Sequence, residues 1–232
     1  MSNNSKLGCD ESRWKTSFVT IPALLLLLIG YPAFRMGVAY FDVFAPSDWW
    51  GIWSIVLVGH WLCAAIVFAA IRNEKSTAAS IGLNLRLFVQ QRWVFIAILL
   101  AVAVVAIFAP SYFYGENIPE TMQSHPLGPV SSTQRFFWIA MAVSAGFVEE
   151  IVFRGYAITR LRRFIGLPAA VLISTASFAL MHGPSAFILP LTALYVVSGL
   201  LFSIAFLLMR SRRLEILIVV HAAIDMALIA AP

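Results

Sequence analysis

Charge and cysteine are scarce in this chain, and each shortage removes a class of protein. Asp, Glu, Lys and Arg make up 12% of the 232 residues against 61% apolar, and the mean hydropathy is +0.88, a balance that soluble domains do not have. Cys9 in a polar tail and Cys63 in an apolar run give neither a disulfide framework nor metal-ligand spacing. The His-Glu-x-x-His motif of zinc proteases is missing. So are the paired halves with broken helices that mark many transporters and the alternating pattern of a membrane β-barrel. The formal charge of +5 is spread in short clusters between apolar runs rather than over one solvated face, which argues against nucleic acid as a partner and makes the clusters topology signals.

Apolar runs near the ~20 residues that cross a bilayer are what fills the chain. They predict an all-α, polytopic transmembrane helical bundle of about seven spans, near 18–40, 49–71, 93–112, 134–164, 168–182, 186–209 and 214–230. The first run is too long for a signal peptide and lacks a small-residue cleavage site, so it is expected to be retained. The layout is a polar tail (1–17), N-terminal transmembrane helices and loops (18–133), and a C-terminal transmembrane core (134–232). Lys and Arg alternate between rich and poor ends, with Arg160, Arg162 and Arg163 marking one exit. This places the N-terminus in the cytoplasm of an integral membrane protein, expected in a bacterial cell membrane among lipid. Arg35 reads as a snorkelling or interfacial residue near Asp42, and His60 as a neutral histidine buried in the bundle, with contact to a functional centre as its alternative. The loop 111–133 is long and rich in turn formers, a lid or an idle connection.

The stretch Gly146–Gly155 breaks the apolar pattern with Glu149, Glu150 and Arg154. Each charge at the centre of a spanning helix costs roughly 2.5 to 3.5 kcal/mol, so such groups face the bundle interior and mark function. If the helices on either side of Gly166 form a hairpin, Glu149 and His182 both lie roughly 24 to 26 Å back from the turn at ~1.5 Å per residue. His221 and Asp225 enter about 12 and 18 Å along the last helix by the same rise. Glu150 and Arg154 are i,i+4 neighbours, as are Phe178 and His182, and His221 and Asp225. Glu149 projects about 100° from Glu150, so the adjacent carboxylates have different tasks. One pair alone could be a neutralised lock between helices. Two carboxylates, two histidines and an aspartate at similar depth are poorly explained by stability, because apolar packing would serve as well.

Glu149-Glu150-x-x-x-Arg154, Phe178-x-x-x-His182 and His221-x-x-x-Asp225 together resemble the three-motif signature of the CaaX protease and bacteriocin-processing (CPBP, or Abi) intramembrane proteases, which include the type II CaaX prenyl endopeptidases. The resemblance covers about Gly146 to Asp225. It implies an endopeptidase acting on a membrane-associated protein or peptide. Glu149 and His182 would activate water, His221 and the last motif residue would stabilise the oxyanion, and Glu150 and Arg154 would orient the site. Asp225 departs from the pattern, since the prenyl proteases carry Asn there, and an ionised Asp cannot donate a hydrogen bond to an oxyanion.

From the residues alone, a carboxylate desolvated in a bundle is a competent general base. No cofactor is favoured. Zn is the alternative, with Glu149, His182 and His221, and Asp225 as a further donor, as ligands and Glu150 as base. A non-proteolytic immunity or scaffold protein that keeps the constellation for binding, and a proton-coupled transporter, are the competing functions.

Overall fold

The computed structural model describes residues 18–40, 48–84, 89–90, 92–93, 96, 131–209 and 213–228, and among them all regular structure is helical. Helix α1 is Phe18–Tyr40, with a π turn at Leu26–Gly30. Helix α2 is Trp49–Asn73, followed by a 3₁₀ turn at Ala78–Ile81. Helix α3 runs without a break through an α segment, Ser132–Glu149, a π segment, Glu150–Ile158, and a second α segment, Thr159–Ile165. Helix α4 is Leu167–Leu180, a 3₁₀ turn covers Gly183–Phe187, and α5 and α6 are Leu189–Leu208 and Leu214–Leu228. The chain is thus an all-helical bundle. Four of its helices, α1, α2, α3 and α5, are long and apolar enough to cross a membrane, while α4 is apolar but shorter. The expected span 93–112, the loop 111–133, the tail 1–17 and Asp42 lie wholly or almost wholly outside the described residues.

Helix starts follow local chemistry. Asp48 caps α2, its Oδ1 accepting from the Gly51 N–H at 3.0 Å. Ser131 and Gln134 form a reciprocal capping box at the start of α3, at 3.2 and 3.0 Å. Proline in the first turn opens α4 and α5, where its missing N–H costs nothing.

The turn at Gly166 folds α4 back along α3, and Ser174 Oγ donates to the Phe153 carbonyl at 2.8 Å across the hairpin. On its other side α4 reaches α1, where Ser177 Oγ donates to the Leu28 carbonyl at 2.6 Å. Both accepting carbonyls lie in π segments. A shift from the α to the π hydrogen-bond register leaves a carbonyl to be satisfied from outside the ladder, and a serine does so in each case.

Apolar packing closes the bundle around the π segment of α3, with Val67, Ile81, Ile151, Tyr156, Phe206 and Leu214 all fully buried. Helices in lipid gain little from the hydrophobic effect and rely on close van der Waals approach. Gly146 provides it between α3 and α6: a Cβ there would stand 2.7 Å from the Ala222 nitrogen and 2.9 Å from the Ile218 carbonyl oxygen.

One basic residue at the expected exit has a partner within the bundle. Arg160, read as marking the membrane exit with Arg162 and Arg163, is buried. Its Nε donates to Glu74 Oε2 at 2.8 Å and its terminal nitrogen reaches Ser80 Oγ at 2.9 Å, while Glu74 Oε1 accepts from Thr20 at 2.7 Å and Tyr156 at 2.9 Å. A charge that looks like a positive-inside signal is here half of a buried ion pair, because the end of α2 supplies the matching carboxylate.

Candidate active site

Glu149 and Glu150 sit where the α segment of α3 passes into the π segment, and both are buried. A π turn takes more residues than an α turn, so side chains four apart within it come closer to eclipsed. Arg154 accordingly stands over Glu150 and donates to its Oε1 at 2.9 Å. The guanidinium also reaches the Gly199 carbonyl at 3.4 Å on α5 and lies over the rings of Phe178 and Phe202, 4.4 and 5.3 Å from their centroids. Those aromatic faces are a suitable wall for a desolvated cation.

His221 arrives from α6 between the two carboxylates. Its Nδ1 lies 2.7 Å from Glu150 Oε1, and its Nε2 lies 3.6 Å from both Glu149 Oε2 and Asp225 Oδ2. Arg154 engages Glu150 and not Glu149, so the adjacent glutamates are differentiated as their angular separation implied. Glu150 is fixed by a guanidinium, whereas Glu149 is flanked by imidazoles.

His182 follows the end of α4, half-buried. Its Nδ1 lies 2.8 Å from the Phe178 carbonyl, which can only accept, so Nδ1 carries the proton and Nε2 is left as the acceptor. The ring stacks on Tyr195 of α5 at 3.8 Å between centroids, and the Tyr195 hydroxyl is 3.2 Å from Ser185 Oγ. His182 interacts electrostatically with Glu149 and makes no direct ion pair with it. The structure thus gathers Glu149, Glu150, Arg154, His221 and Asp225 by contact, with His182 beside them through Phe178, whose ring lies 5.1 Å from that of His182 and 6.2 Å from that of His221.

Two further residues lie at the edge of the site. His60, read as a histidine buried in the bundle with contact to a functional centre as its alternative, is buried and points Nε2 at Glu149 Oε1 from 3.4 Å. Arg35, read as interfacial near Asp42, donates from Nε to the Met181 carbonyl at 3.1 Å. It meets the carboxyl end of α4, where a cation is favoured by the helix dipole, and so steadies the turn that carries His182. Sequence spacing gave no signal for either, because each is a lone residue on a helix with no motif partner.

A small cavity of about 10 Å³ opens on the α2 side of Glu149, lined by Tyr31, His60, Cys63, Val148, Glu149, Val152, Phe153 and Met181. Among the described residues no three His, Cys, Asp or Glu side chains are grouped as ligands for a metal ion.

Residues 131–227 match the family model described as type II CAAX prenyl endopeptidase Rce1-like. No curated protein and no solved structure matches the chain.

Proposed function

From the premise that residues 131–227 are an Rce1-like domain of the type II CAAX prenyl endopeptidase kind, we propose that the protein is an intramembrane endopeptidase that hydrolyses a peptide bond of a membrane-associated protein or peptide. The observation that carries the reading is the unequal treatment of two adjacent carboxylates: Glu150 is bound by Arg154 and by His221 Nδ1, while the ion-pair partners of Glu149 among the described residues are histidine nitrogens. A carboxylate of the first kind is structural. One of the second kind is available to accept a proton.

In this reaction Glu149 takes a proton from water as the water oxygen bonds to the scissile carbonyl carbon and the carbonyl electrons move onto oxygen. His221, protonated on both ring nitrogens, gives its Nδ1–H to Glu150 and its Nε2–H to that oxyanion, with Asp225 beside it. Collapse breaks the C–N bond, and the proton from Glu149 goes to the leaving amine, with His182 Nε2 as the second acceptor along the way. Glu150 and Arg154 orient His221. No metal is assigned to the site. Membrane lipid surrounds it, and the alternation of Lys and Arg between apolar runs supports a cytoplasmic N-terminus, in what we read as a bacterial cell membrane.

A cleavage assay in lipid nanodiscs, on a quenched-fluorescence peptide ending in a farnesylated CaaX tail and on an unprenylated transmembrane peptide, tests the reading. Glu149→Gln preserves shape and removes proton acceptance, so turnover is expected to fall by ~10² to 10⁴. Chelator is expected to leave the wild-type rate unchanged; loss of activity restored by added Zn would replace the carboxylate-water mechanism with a metal one. A Glu149→Gln protein with full function in the cell would point to a scaffold instead.

A further inference from the structure

His60 lies on α2, outside the segment 131–227 that matches the family model, and is buried to 4% exposure. Its Nε2 is 3.4 Å from Glu149 Oε1. Its Nδ1 points away from that carboxylate and has no hydrogen-bond partner among the described residues. An unpaired ring nitrogen in the interior is a cost that leucine at this position would not carry, so packing alone is a poor account of the histidine. The carboxylate can only accept, and a bare lone pair at Nδ1 is a smaller defect than an orphaned N–H. The proton therefore belongs on Nε2, facing Glu149.

The surroundings give Glu149 a closed side and an open one. A Cβ at position 59 would stand 2.8 Å from a ring carbon of Tyr31, so Gly59 is what lets the Tyr31 ring lie against α2, 6.0 Å from the His60 ring. The cavity of about 10 Å³ on this side turns no polar atom to its interior, and an apolar cavity stays dry. Oε1 is thus turned to His60 on a side that water does not enter. Oε2 lies 3.6 Å from His221 Nε2, beyond hydrogen-bond reach, and the same nitrogen is 3.6 Å from Asp225 Oδ2. The Asp225 side chain is 26% exposed against 7% for Glu149, so water and peptide reach the carboxylate from the Asp225 side.

We propose that His60 is a positioning residue for the reaction: its Nε2–H holds Oε1 of Glu149 and so presents Oε2, the oxygen beside His221 and Asp225, as the one that takes the proton from water. A residue outside the family-matched segment thereby sets which oxygen of the general base works. At 3.4 Å the contact is longer than the ~2.7 to 3.2 Å of a formed N–H···O bond, as catalytic contacts are before substrate closes a site. His60 neither gives nor takes a proton in the reaction and acts only through Glu149. Its part in hydrolysis rests on the endopeptidase reading; the tautomer and the tie to Glu149 do not.

The test therefore has a kinetic arm and a spectroscopic arm on the full chain in nanodiscs. His60→Leu removes the donor and is expected to lower kcat about 10- to 10²-fold, the worth of a hydrogen bond to a charged group, with KM for the farnesylated peptide unchanged. His60→Gln places a side-chain N–H near the position of Nε2 and is expected to keep roughly fivefold more kcat than His60→Leu. A packing role would reverse that order, since leucine suits an apolar bundle better. In the Glu149→Gln background, His60→Leu is expected to cost less than about twofold further, because its effect passes through that carboxylate. In the spectroscopic arm, ring-¹⁵N-labelled histidine is followed by NMR, and with four histidines in the chain each ring is assigned by its own substitution. His60 is expected to carry its proton on Nε2, and that resonance to shift in Glu149→Gln. An unprotonated Nε2, or one that Glu149→Gln leaves unmoved, overturns the proposal whatever the activity. So does a His60→Leu protein that cleaves as fast as His60→Gln, or a full additive loss in the double variant. A protonated Nε2 tied to Glu149 in a protein that cleaves neither peptide keeps the contact and removes the endopeptidase reading, and the positioning role with it.

Discussion

Glu150 on α3 and His221 on α6 are joined by a 2.7 Å contact between Oε1 and Nδ1, and the same oxygen accepts from Arg154 at 2.9 Å. One carboxylate oxygen thus ties two helices and fixes which nitrogen of His221 faces Glu149. Removing the guanidinium leaves Glu150, a buried charge, with the His221 ring but without its fixed cation, a defect worth roughly 3 to 5 kcal/mol. Arg154→Ala is expected to lower the midpoint of thermal unfolding in detergent together with activity, followed by tryptophan fluorescence. Arg154→Lys, which keeps the charge but loses the planar fork, is expected to recover part of the stability only.

The Glu74–Arg160 pair gives the contrasting case, because it is buried and multiply hydrogen-bonded but lies on the far side of the π segment from Glu149. Glu74→Ala is expected to destabilise the fold by about 3 to 5 kcal/mol, since it leaves Arg160 uncompensated. The cleavage rate per folded molecule is expected to stay within about threefold of wild type. An equal loss of kcat in the folded fraction, measured after size-exclusion selection of the monodisperse protein, would give this pair a part in the reaction itself.

Gly146 sets the distance between α3 and α6. Gly146→Val is expected to abolish cleavage while leaving the helix content seen by circular dichroism nearly unchanged, because the added atoms meet the Ala222 nitrogen and the Ile218 carbonyl, backbone that cannot rotate away. His221 would then be carried off both glutamates. Activity close to wild type would show that α6 slides without penalty and that the close approach has no role in the site.

The residues that sequence could place were those in helical register with a partner. Glu150 with Arg154, and His221 with Asp225, are i,i+4 pairs, and the hairpin at Gly166 put His182 at the depth of Glu149 by counting alone. His60 has no such partner: a single histidine in mid-span carries its depth but not the direction of its face, and α2 is linked to α3 through residues that give no register. The partner of Arg160 was hidden because basic residues at a helix end look alike whether they reach water or a carboxylate 86 positions away. The π segment was equally hidden, since the composition of Glu150–Ile158 suits an α-helix as well and does not fix the hydrogen-bond register. The four long apolar helices were legible from hydropathy, because length and composition are what a bilayer selects for.

Asp225 offers the sharpest distinction among roles. Its Oδ2 lies 3.6 Å from His221 Nε2, which would suit a residue that holds the imidazole in one tautomer. That task is already performed at the other nitrogen, where Glu150 Oε1 is 2.7 Å from Nδ1. An amide at position 225 keeps the size and adds a donor that an ionised carboxylate lacks. Asp225→Asn is therefore expected to retain or raise kcat in the nanodisc assay, because the amide can donate to the oxyanion while Glu150 keeps His221 in place. Asp225→Ala, which removes the donor and the acceptor together, is expected to fall below wild type. A loss of about 10²-fold or more in the Asn variant would mean that the negative charge itself is required, either to balance a protonated His221 or to hold a metal. Adding Zn to the wild type and the variant side by side would separate those two, since only a metal ligand makes the response to added metal depend on residue 225.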